Sequence, residues 1–272
     1  MSLTNKTILI TGSSRGIGKA MALRFAKEGA NIVIIAKSIA EDERLGGTIY
    51  STAKEVEDAG GKALPLQCDV RFESQVTAAV IQAVQAFGGI DTLVNNASAI
   101  QMMNTENTEM KRFDLIHSIN VRGTLMMTKA CLPYLKQSSG AHILTISPPI
   151  NLQPKWIYPQ MAYTLSKYSM TLMMMGWAAE YKKYNIASNS LWPKTTIATA
   201  PVRNLLGGEK LIAMSRKPEI MADAAFVMLS KSFSELSGAA LLDEDVLRSE
   251  GIADFDSYAI TPGGRLYPDL YV

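Results

Sequence analysis

Residues 11–18 of the chain read Thr-Gly-Ser-Ser-Arg-Gly-Ile-Gly, and they connect the apolar run Thr7–Ile10 to an amphipathic stretch that begins near Ile17. The first run predicts a buried strand and the second predicts a helix. Glycine tolerates positive φ angles and lets another backbone or a phosphate approach closely. The free N–H groups at a helix N-terminus attract anions. This stretch therefore predicts either a site for the pyrophosphate of a dinucleotide or a plain strand-to-helix turn.

Apolar and β-branched runs recur along the whole chain at the spacing of βαβ units. The predicted strands are Thr7–Ile10, Asn31–Ala36, Lys62–Gln67, Thr92–Asn95, Ala141–Ile146, Ile186–Leu191 and Ala239–Leu242. Helical patterns lie between them, and Glu73–Phe87 is the clearest. Strands that alternate with helices indicate a parallel sheet covered on both faces and wound by right-handed crossovers. We predict one α/β domain over residues 1–272, a doubly wound Rossmann-type fold with a mostly parallel seven-stranded sheet.

Composition argues against several classes of protein. The chain has 272 residues, 19% of them charged, and a formal net charge of +2, so we expect neither nucleic acid nor a membrane as a partner. The polar start of the chain is not typical of a signal peptide. Cys68 and Cys131 are expected to be reduced thiols of a cytoplasmic protein. His117 and His142 have no second ligand at metal spacing, so we expect no metal site.

The end of the second predicted strand indicates which dinucleotide binds. In open α/β sheets the ligand lies at the carboxyl ends of the strands, and NAD-selective sites place an acidic residue after the second strand. Lys37 stands there instead, and Arg15 lies inside the glycine turn. Two cations favour the 2′-phosphate of NADP(H); the alternative is that both are solvated surface charges. Asp69 ends the third strand, where it either accepts a hydrogen bond from the adenine amino group or caps the next helix.

Tyr163 and Lys167 are the candidate catalytic pair. They stand four residues apart in a helical stretch that follows the fifth strand, so their side chains share one helix face. A phenol with its usual pKa of about 10 is a poor acid or base at neutral pH, and a nearby ammonium lowers that pKa. The lysine can also hydrogen-bond the nicotinamide ribose. Such pairs are common in helices. The position of this one after the fifth strand, at the edge of the sheet where ligands bind, supports a catalytic role.

Five motifs, in order, make the chain resemble the short-chain dehydrogenase/reductase family over nearly its whole length. They are the glycine turn, Asn95-Asn96-Ala97, Asn120, the Tyr163/Lys167 pair, and Pro193 followed by Thr195–Thr199. The resemblance implies that Tyr163 is the proton donor and acceptor, that Lys167 adjusts its pKa, and that Asn120 belongs to a proton relay. The predicted cofactor-binding residues are Gly12, Ser13, Ser14, Arg15, Gly16, Ile17, Gly18, Lys37, Asp69, Asn95, Lys167 and Pro193.

The chain departs from the family pattern at the serine that follows the fifth strand. Ser147-Pro148-Pro149 stands there, and Pro148 occupies the position of the catalytic serine, where it has no hydrogen to donate. Two hypotheses follow: Ser147 takes the catalytic role, or Tyr163 and another donor polarise the substrate oxygen. Ser98 and Lys194 each replace a family glycine, and we expect both to add bulk or charge near the nicotinamide.

Together these features predict an NADP(H)-dependent oxidoreductase with a small-molecule substrate. It would transfer a hydride between nicotinamide and the carbonyl or alcohol carbon of an apolar compound, lipid-like or steroid-like. The alternative is a nucleotide-binding sensor or scaffold with little turnover, which Pro148 favours and the Tyr163/Lys167 pair opposes. Site chemistry, not the fold, has to decide between the two.

Two groups of apolar residues have open roles. Four side chains near the site loops either line a substrate pocket or belong to a lid: Trp156, Tyr158, Met161 and Trp192. The helical stretches Met110–Lys136 and Ala162–Lys183 carry more apolar residues than one sheet face can cover. Large exposed apolar patches indicate a partner surface, which predicts a homodimer or homotetramer.

Overall fold

Seven parallel strands form one sheet at the centre of the protein. The computed structural model of the protein describes residues 2–272. The strands are β1 (Thr7–Thr11), β2 (Asn31–Ala36), β3 (Lys62–Gln67), β4 (Thr92–Asn95), β5 (His142–Ile146), β6 (Ala187–Trp192) and β7 (Ala240–Leu242). Their order is β3-β2-β1-β4-β5-β6-β7, and every pairing is parallel.

Helices connect the strands and cover both faces of the sheet. They are α1 (Gly16–Ala26), α2 (Ile49–Asp58), α3 (Glu73–Phe87), α4 (Met110–His117), α5 (Thr124–Leu135), α6 (Pro154–Ile157), α7 (Met161–Glu180), α8 (Gly208–Ala213), α9 (Glu219–Ser230) and α10 (Asp243–Ser249). A π-helical turn, Ser118–Gly123, joins α4 to α5. Across residues 2–272 we find no helix with the length and apolar character needed to cross a membrane.

The core has two halves because successive side chains of a strand point to opposite faces of the sheet. Ile8 and Ile10 of β1 pack on one face, together with Phe25 of α1. Leu9 packs on the other face, together with Val80 of α3. All of these side chains are fully or almost fully buried. Burial on both faces explains why the strands read as nearly continuous apolar runs.

The winding of the sheet reverses between β1 and β4. Strands β2 and β3 add successively to one side of β1, whereas β4 to β7 add to the other side. At such a switch point the connections leave the carboxyl ends of the two central strands in opposite directions, and a crevice opens between them. This topology fixes the place where a ligand site can form.

Gly12 and Gly18 lie where no Cβ fits. Gly12 has a φ of +68°, and a Cβ there would lie 2.9 Å from the Cα of Ala97. A Cβ on Gly18 would lie 2.5 Å from the Nδ2 of Asn96. Both distances are shorter than any carbon contact in an undistorted protein. Glycine at these two positions therefore lets α1 begin directly against the end of β4.

The fold predicted from the sequence is confirmed. Each predicted strand agrees with the observed strand to within one residue at either end, and α3 has the predicted bounds. The sheet is wholly parallel, where we expected a mostly parallel one. Pro65 lies inside β3 without disturbing the sheet, because β3 is an edge strand and tolerates a residue without an N–H.

His142 makes the stability of the sheet sensitive to acid. Its side chain is 4% exposed, and burial lowers its pKa to about 4. The unfolded chain, with the usual histidine pKa of about 6.5, binds this proton more readily. The contribution of His142 to the free energy of unfolding is therefore unreduced above pH 6.5. It decreases as the pH falls from 6.5 towards 4, by on the order of 3 kcal/mol.

We predict that His142→Val unfolds with a weaker pH dependence than the wild-type protein between pH 7 and pH 4. Urea denaturation at several pH values measures the difference. His117→Gln is the matched control, because His117 is partly exposed on α4. If the free energy of unfolding changes equally with pH in the wild type and in His142→Val, His142 is not the source of this acid sensitivity.

Candidate active site

A cavity of about 470 Å³ opens at the carboxyl edge of the sheet, at the switch point between β1 and β4. It extends from the glycine turn, past the ends of β2 and β3, to the start of α7. Ten of the predicted site residues line it, and Ser98 and Trp192 line it as well; the ten are Gly12, Ser14, Arg15, Gly16, Ile17, Lys37, Asp69, Tyr163, Lys167 and Pro193. The rule that ligands bind at the carboxyl ends of parallel strands therefore selected the edge at which this cavity opens.

The N-terminus of α1 forms one wall of the cavity. Gly16 and Ile17 of the first turn line it, and Arg15 precedes them in an extended conformation. Within residues 2–272 no side chain caps this helix. As in any helix, the first N–H groups have no partner inside the helix, and an anion bound in the adjoining cavity would satisfy them.

Arg15 lies against the loop that follows β2. Its Nε donates to the carbonyl of Gly46 at 2.8 Å and its Nη2 to the carbonyl of Gly47 at 3.1 Å. The guanidinium is thus fixed against this loop, and both Arg15 and Lys37, the first residue after β2, line the cavity. The two cations that the sequence analysis selected therefore border the same part of the cavity.

Asp69 is the acidic residue at this end of the cavity, and its carboxylate is already engaged. Arg71 binds it through Nε and through Nη2, the latter at 2.6 Å from Oδ2. These hydrogen bonds lower the pKa of Asp69, and the positive charge of Lys37 lowers it further. Asp69 does not cap α3, which begins after Phe72. The predicted capping role is therefore wrong, and the predicted contact with adenine stays a hypothesis.

Tyr163 and Lys167 lie together at the opposite end of the cavity, on the first two turns of α7. Both side chains are almost fully buried by the protein. The Nζ of Lys167 donates to the carbonyl of Ile146 at 2.9 Å, at the end of β5. It lies 6.0 Å from the centre of the Tyr163 ring and 5.3 Å from the centre of the Trp192 ring. The predicted pair thus shares one helix face and one site.

Burial changes the pKa of both groups. It lowers the pKa of Lys167 to about 7, against the opposing effect of the Asp269 carboxylate. It raises the pKa of Tyr163 well above the usual value for a phenol, and the hydrogen bond from Ser98 opposes this only in part. We expected Lys167 to lower the pKa of Tyr163, and in this structure the burial of the phenol outweighs any such effect. Tyr163 is therefore a protonated phenol at neutral pH.

Asn120 lies beside the cavity and fixes its wall. Its Oδ1 accepts from the N–H of Ala99 at 2.8 Å, and its Nδ2 donates to the carbonyl of Ala99 at 3.1 Å. Nδ2 also donates to the hydroxyl of Ser166 on α7. Asn120 is placed for these bonds by the π-helical turn between α4 and α5. Its side chain thereby positions the segment that follows β4, and the predicted proton relay remains a hypothesis.

Ser147 faces the core and not the cavity. Its side chain is fully buried, and its hydroxyl accepts from the Oγ1 of Thr171 at 2.9 Å. The same Thr171 hydroxyl contacts the carbonyl of Pro148 at 2.7 Å. The end of β5 therefore presents no free hydroxyl to the cavity. This placement favours the second hypothesis from the sequence, in which Tyr163 and another donor polarise the substrate oxygen.

Five of the predicted site residues, all within the described part of the chain, lie outside the cavity lining: Ser13, Gly18, Asn95, Asn120 and Ser147. Ser13 ties β1 to β2, because its hydroxyl donates to Ile10 and accepts from the N–H of Ile35. Asn95 donates to the hydroxyl of Thr128 in the core. These two polar side chains hold the strands that carry the site, since each is bonded inside the protein and turned away from the cavity.

Lys194 differs from our expectation. Its side chain does not line the cavity, and its ammonium lies 3.4 Å from Glu244 and 3.6 Å from Asp245 of α10. The two carboxylates attract it away from the site. The four apolar residues near the site loops differ in their placement: Trp192 lines the cavity, whereas Tyr158 is 65% exposed. Trp156 packs near the ring of Tyr271, and Met161 is partly exposed.

The segment after Pro268 contributes site residues that the sequence analysis missed. Asp269 and Leu270 line the cavity beside Lys167. The segment is anchored by Tyr271, whose hydroxyl bonds to Thr164 and whose ring packs near Tyr168 and Trp192. The available signal was an acid, Asp269, that stands two residues from an aromatic residue on either side, after a Gly-Gly turn. No motif pointed to it, because its place depends on tertiary contacts alone.

Comparison with known proteins agrees with this geometry. Residues 6–206 match the family model described as short chain dehydrogenase. The chain is 53% identical over 270 residues to hydroxysteroid dehydrogenase-like protein 2 of Xenopus laevis, a match that covers 99% of this chain and 64% of that protein. The chain thus spans less than two thirds of the length of this curated relative.

Solved structures give the same result. A protein from Xanthomonas campestris superimposes with a TM-score of 0.96 at 48% identity, covering 100% of this chain and 99% of the other. A short chain dehydrogenase from Mycobacterium thermoresistibile superimposes with a TM-score of 0.94 at 51% identity, covering 100% and 96%. An NADH-dependent reductase complexed with NAD superimposes with a TM-score of 0.71 at 26% identity, covering 88% and 95%. The chain, with its glycine turn, its Tyr163/Lys167 pair and its sheet order, belongs to the short chain dehydrogenase family.

Proposed function

We propose that the protein is an NADP(H)-dependent oxidoreductase that reduces the carbonyl group of an apolar small molecule. The observation that carries this proposal is the placement of a protonated phenol, Tyr163, and a buried amine, Lys167, at one end of a cavity. The other end of that cavity carries an uncapped helix N-terminus. A dinucleotide that spans the cavity would place its nicotinamide beside the phenol.

The residues present fit a nicotinamide dinucleotide. The first turn of α1 offers free N–H groups to a pyrophosphate. Lys37 and Arg15 border the part of the cavity where the adenosine ribose would lie, which supports NADP over NAD. Asp69 does not oppose a 2′-phosphate strongly, because Arg71 neutralises its carboxylate. The reductase of 26% identity, complexed with NAD, supports the dinucleotide and leaves the choice between NAD and NADP to these residues.

When bound, NADPH supplies a hydride that forms the new C–H bond at the carbonyl carbon. Tyr163 gives its phenolic proton to the carbonyl oxygen, so that C=O becomes CH–OH and the phenol becomes a phenolate. Lys167, held by the carbonyl of Ile146, stabilises that phenolate while its amine is charged. A phenol that is protonated at neutral pH suits the reduction direction, since reduction consumes its proton.

Much of the cavity lining is apolar. Besides Tyr163 it includes Ile100, Met102, Leu115 and Leu206. Side chains of this kind bind aliphatic or alicyclic groups and leave only the reacting oxygen to polar donors. We therefore infer a lipid-like or steroid-like carbonyl compound as the substrate class. Buried free thiols at Cys68 and Cys131 support the cytoplasm as the proposed compartment.

Tyr163→Phe tests the proposed reaction. We predict that it lowers kcat for NADPH-dependent ketone reduction by about 10³-fold, because it removes the transferred proton. The affinity for NADPH should change little, since the phenol lies at the far end of the cavity from the helix N-terminus. Steady-state kinetics and fluorescence titration measure the two quantities. Turnover by the variant at the wild-type rate would contradict the mechanism.

Lys37→Asp tests the cofactor preference. We predict that it shifts the preference from NADP(H) towards NAD(H) by about 2–4 kcal/mol, through one lost charge-assisted hydrogen bond and one new repulsion. Titration of both cofactors into both proteins measures the shift. Lys62→Asp carries the same charge change at the opposite, amino end of β3, and should leave the preference unchanged. Equal affinities of the wild type for the two cofactors would contradict the proposal.

We also propose that the protein is a homodimer or homotetramer. An apolar stripe runs along the outer face of α7, with Leu165 at 47%, Leu172 at 60% and Met175 at 50% exposure. Leu125 of α5 is also exposed. Such a stripe is stabilised when a second subunit covers it.

Leu172→Glu tests this assembly. We predict that the substitution lowers the molar mass in solution to that of a smaller species, because it places a charge in the covered stripe. Light scattering after size exclusion at micromolar concentration measures the mass. Lys54→Glu, at an exposed position of α2 away from α5 and α7, controls for the added negative charge. A wild-type protein that is monomeric under these conditions would overturn the assembly proposal.

A further inference from the structure

We propose that Ser98, in the segment after β4, supplies the hydroxyl that hydrogen-bonds the reacting oxygen of the substrate. The inference rests on the proposed function as a carbonyl reductase and adds a catalytic residue to it. In this proposal the hydrogen bond to the substrate oxygen comes from the segment after β4, where the family pattern takes it from a serine after β5.

The end of β5 cannot supply this hydroxyl in the observed arrangement. Ser147 is fully buried and bonded to Thr171, and Pro148 has no hydrogen-bond donor. Turning Ser147 towards the cavity would break its bond to Thr171 at a fully buried position, where the lost bond is costly. A reacting oxygen that develops negative charge gains from two donors, and Tyr163 provides only one of them.

Ser98 lies beside the Tyr163 phenol. Its side chain is exposed to the cavity, which both residues line. The Ser98 side chain acts on Tyr163 by lowering the pKa of the phenol, against the larger effect of burial. A carbonyl oxygen that accepts a proton from Tyr163 lies in the cavity that the Ser98 side chain also lines, and we infer that it comes within reach of the Ser98 hydroxyl.

The backbone on both sides of Ser98 is held by hydrogen bonds. On one side, the N–H of Ala97 donates to the Oγ1 of Thr11 at 3.0 Å. On the other side, both backbone groups of Ala99 bond to the side chain of Asn120. A donor fixed in this way loses little entropy when the substrate binds, which is the condition for an effective oxyanion contact.

The hydroxyl itself remains free to turn towards a substrate. Its bond to the carbonyl of Ala99 is 3.4 Å long, at the weak end of the range for such bonds. Exchanging this contact for a charged oxygen is therefore favourable. The position also explains why a side chain larger than glycine fits after Asn95-Asn96-Ala97: the Cβ of Ser98 extends into the cavity and not into the core.

Ser98 keeps its own proton during the reaction. The hydride forms the C–H bond, and the O–H bond of Tyr163 breaks as its proton moves to the substrate oxygen. Ser98 donates a hydrogen bond to that oxygen as negative charge develops on it. Once the proton has moved, the same hydroxyl can donate to the Tyr163 phenolate.

The test compares wild type, Ser98→Ala and Ser98→Thr in the reduction of a series of alicyclic and long-chain aliphatic ketones by NADPH. We expect Ser98→Ala to lower kcat by about 10²–10³-fold, the loss typical of one oxyanion donor. Ser98→Thr keeps the hydroxyl and should stay within about tenfold of the wild type. The Kd for NADPH, measured by fluorescence, should be the same in all three. Ser234→Ala removes an exposed hydroxyl in the turn before β7, far from the cavity, and should leave kcat unchanged.

Three results would overturn the inference, and each points to a different cause. If Ser98→Ala keeps kcat within threefold while Ser147→Ala loses 10²-fold or more, the donor is Ser147 and only this inference fails. If the wild type binds NADPH but reduces none of the ketones, the proposed function fails and the inference fails with it. A loss of kcat in Ser98→Ala that Ser98→Thr does not restore would show that the hydroxyl is not responsible.

Discussion

The hydroxyl of Thr11 joins the carboxyl ends of the two central strands, and the site depends on this junction. Thr11 donates to the carbonyl of Val94 and accepts from the N–H groups of Asn96 and Ala97. In turn, the Nδ2 of Asn96 donates to the carbonyls of Thr11 and Gly12. Parallel strands diverge after their last ladder bond, because each leads into a helix on one face of the sheet. These bonds hold the glycine turn and the segment after β4 side by side at the point of divergence.

The other features of the site follow from that junction. Because the two segments touch, there is no room for a Cβ at Gly12, which precedes α1, or at Gly18 in its first turn. The N-terminus of α1 then lines the cavity. The segment after β4 carries Ser98 towards α7, where Tyr163 and Lys167 project from the opposite wall. Burial of these two groups keeps the phenol protonated and lowers the pKa of the amine to about 7. Burial of the Lys167 amine beside the phenol is therefore unfavourable for its charged form.

The sequence predicted the backbone well and the directions of several side chains poorly. The strands and α3 were predictable because apolar periodicity depends only on which residues are buried. The positions of Tyr163 and Lys167 were predictable because helical spacing fixes their common face. By contrast, Ser147 turned towards Thr171 and Lys194 towards the carboxylates of α10, each through a partner distant in sequence. Asp269 reaches the cavity only because Tyr271 is anchored among aromatic rings. Contacts of this kind leave no periodic trace in the chain.

A crystal structure of the protein with NADP tests the central claim most directly, namely that this cavity binds a dinucleotide between the helix N-terminus and the phenol. The account predicts the pyrophosphate at the first turn of α1, the 2′-phosphate within hydrogen-bond distance of Lys37 or Arg15, and the nicotinamide ribose within reach of Lys167. A dinucleotide bound with its nicotinamide at the Lys37 end, or bound outside the cavity, would contradict the account.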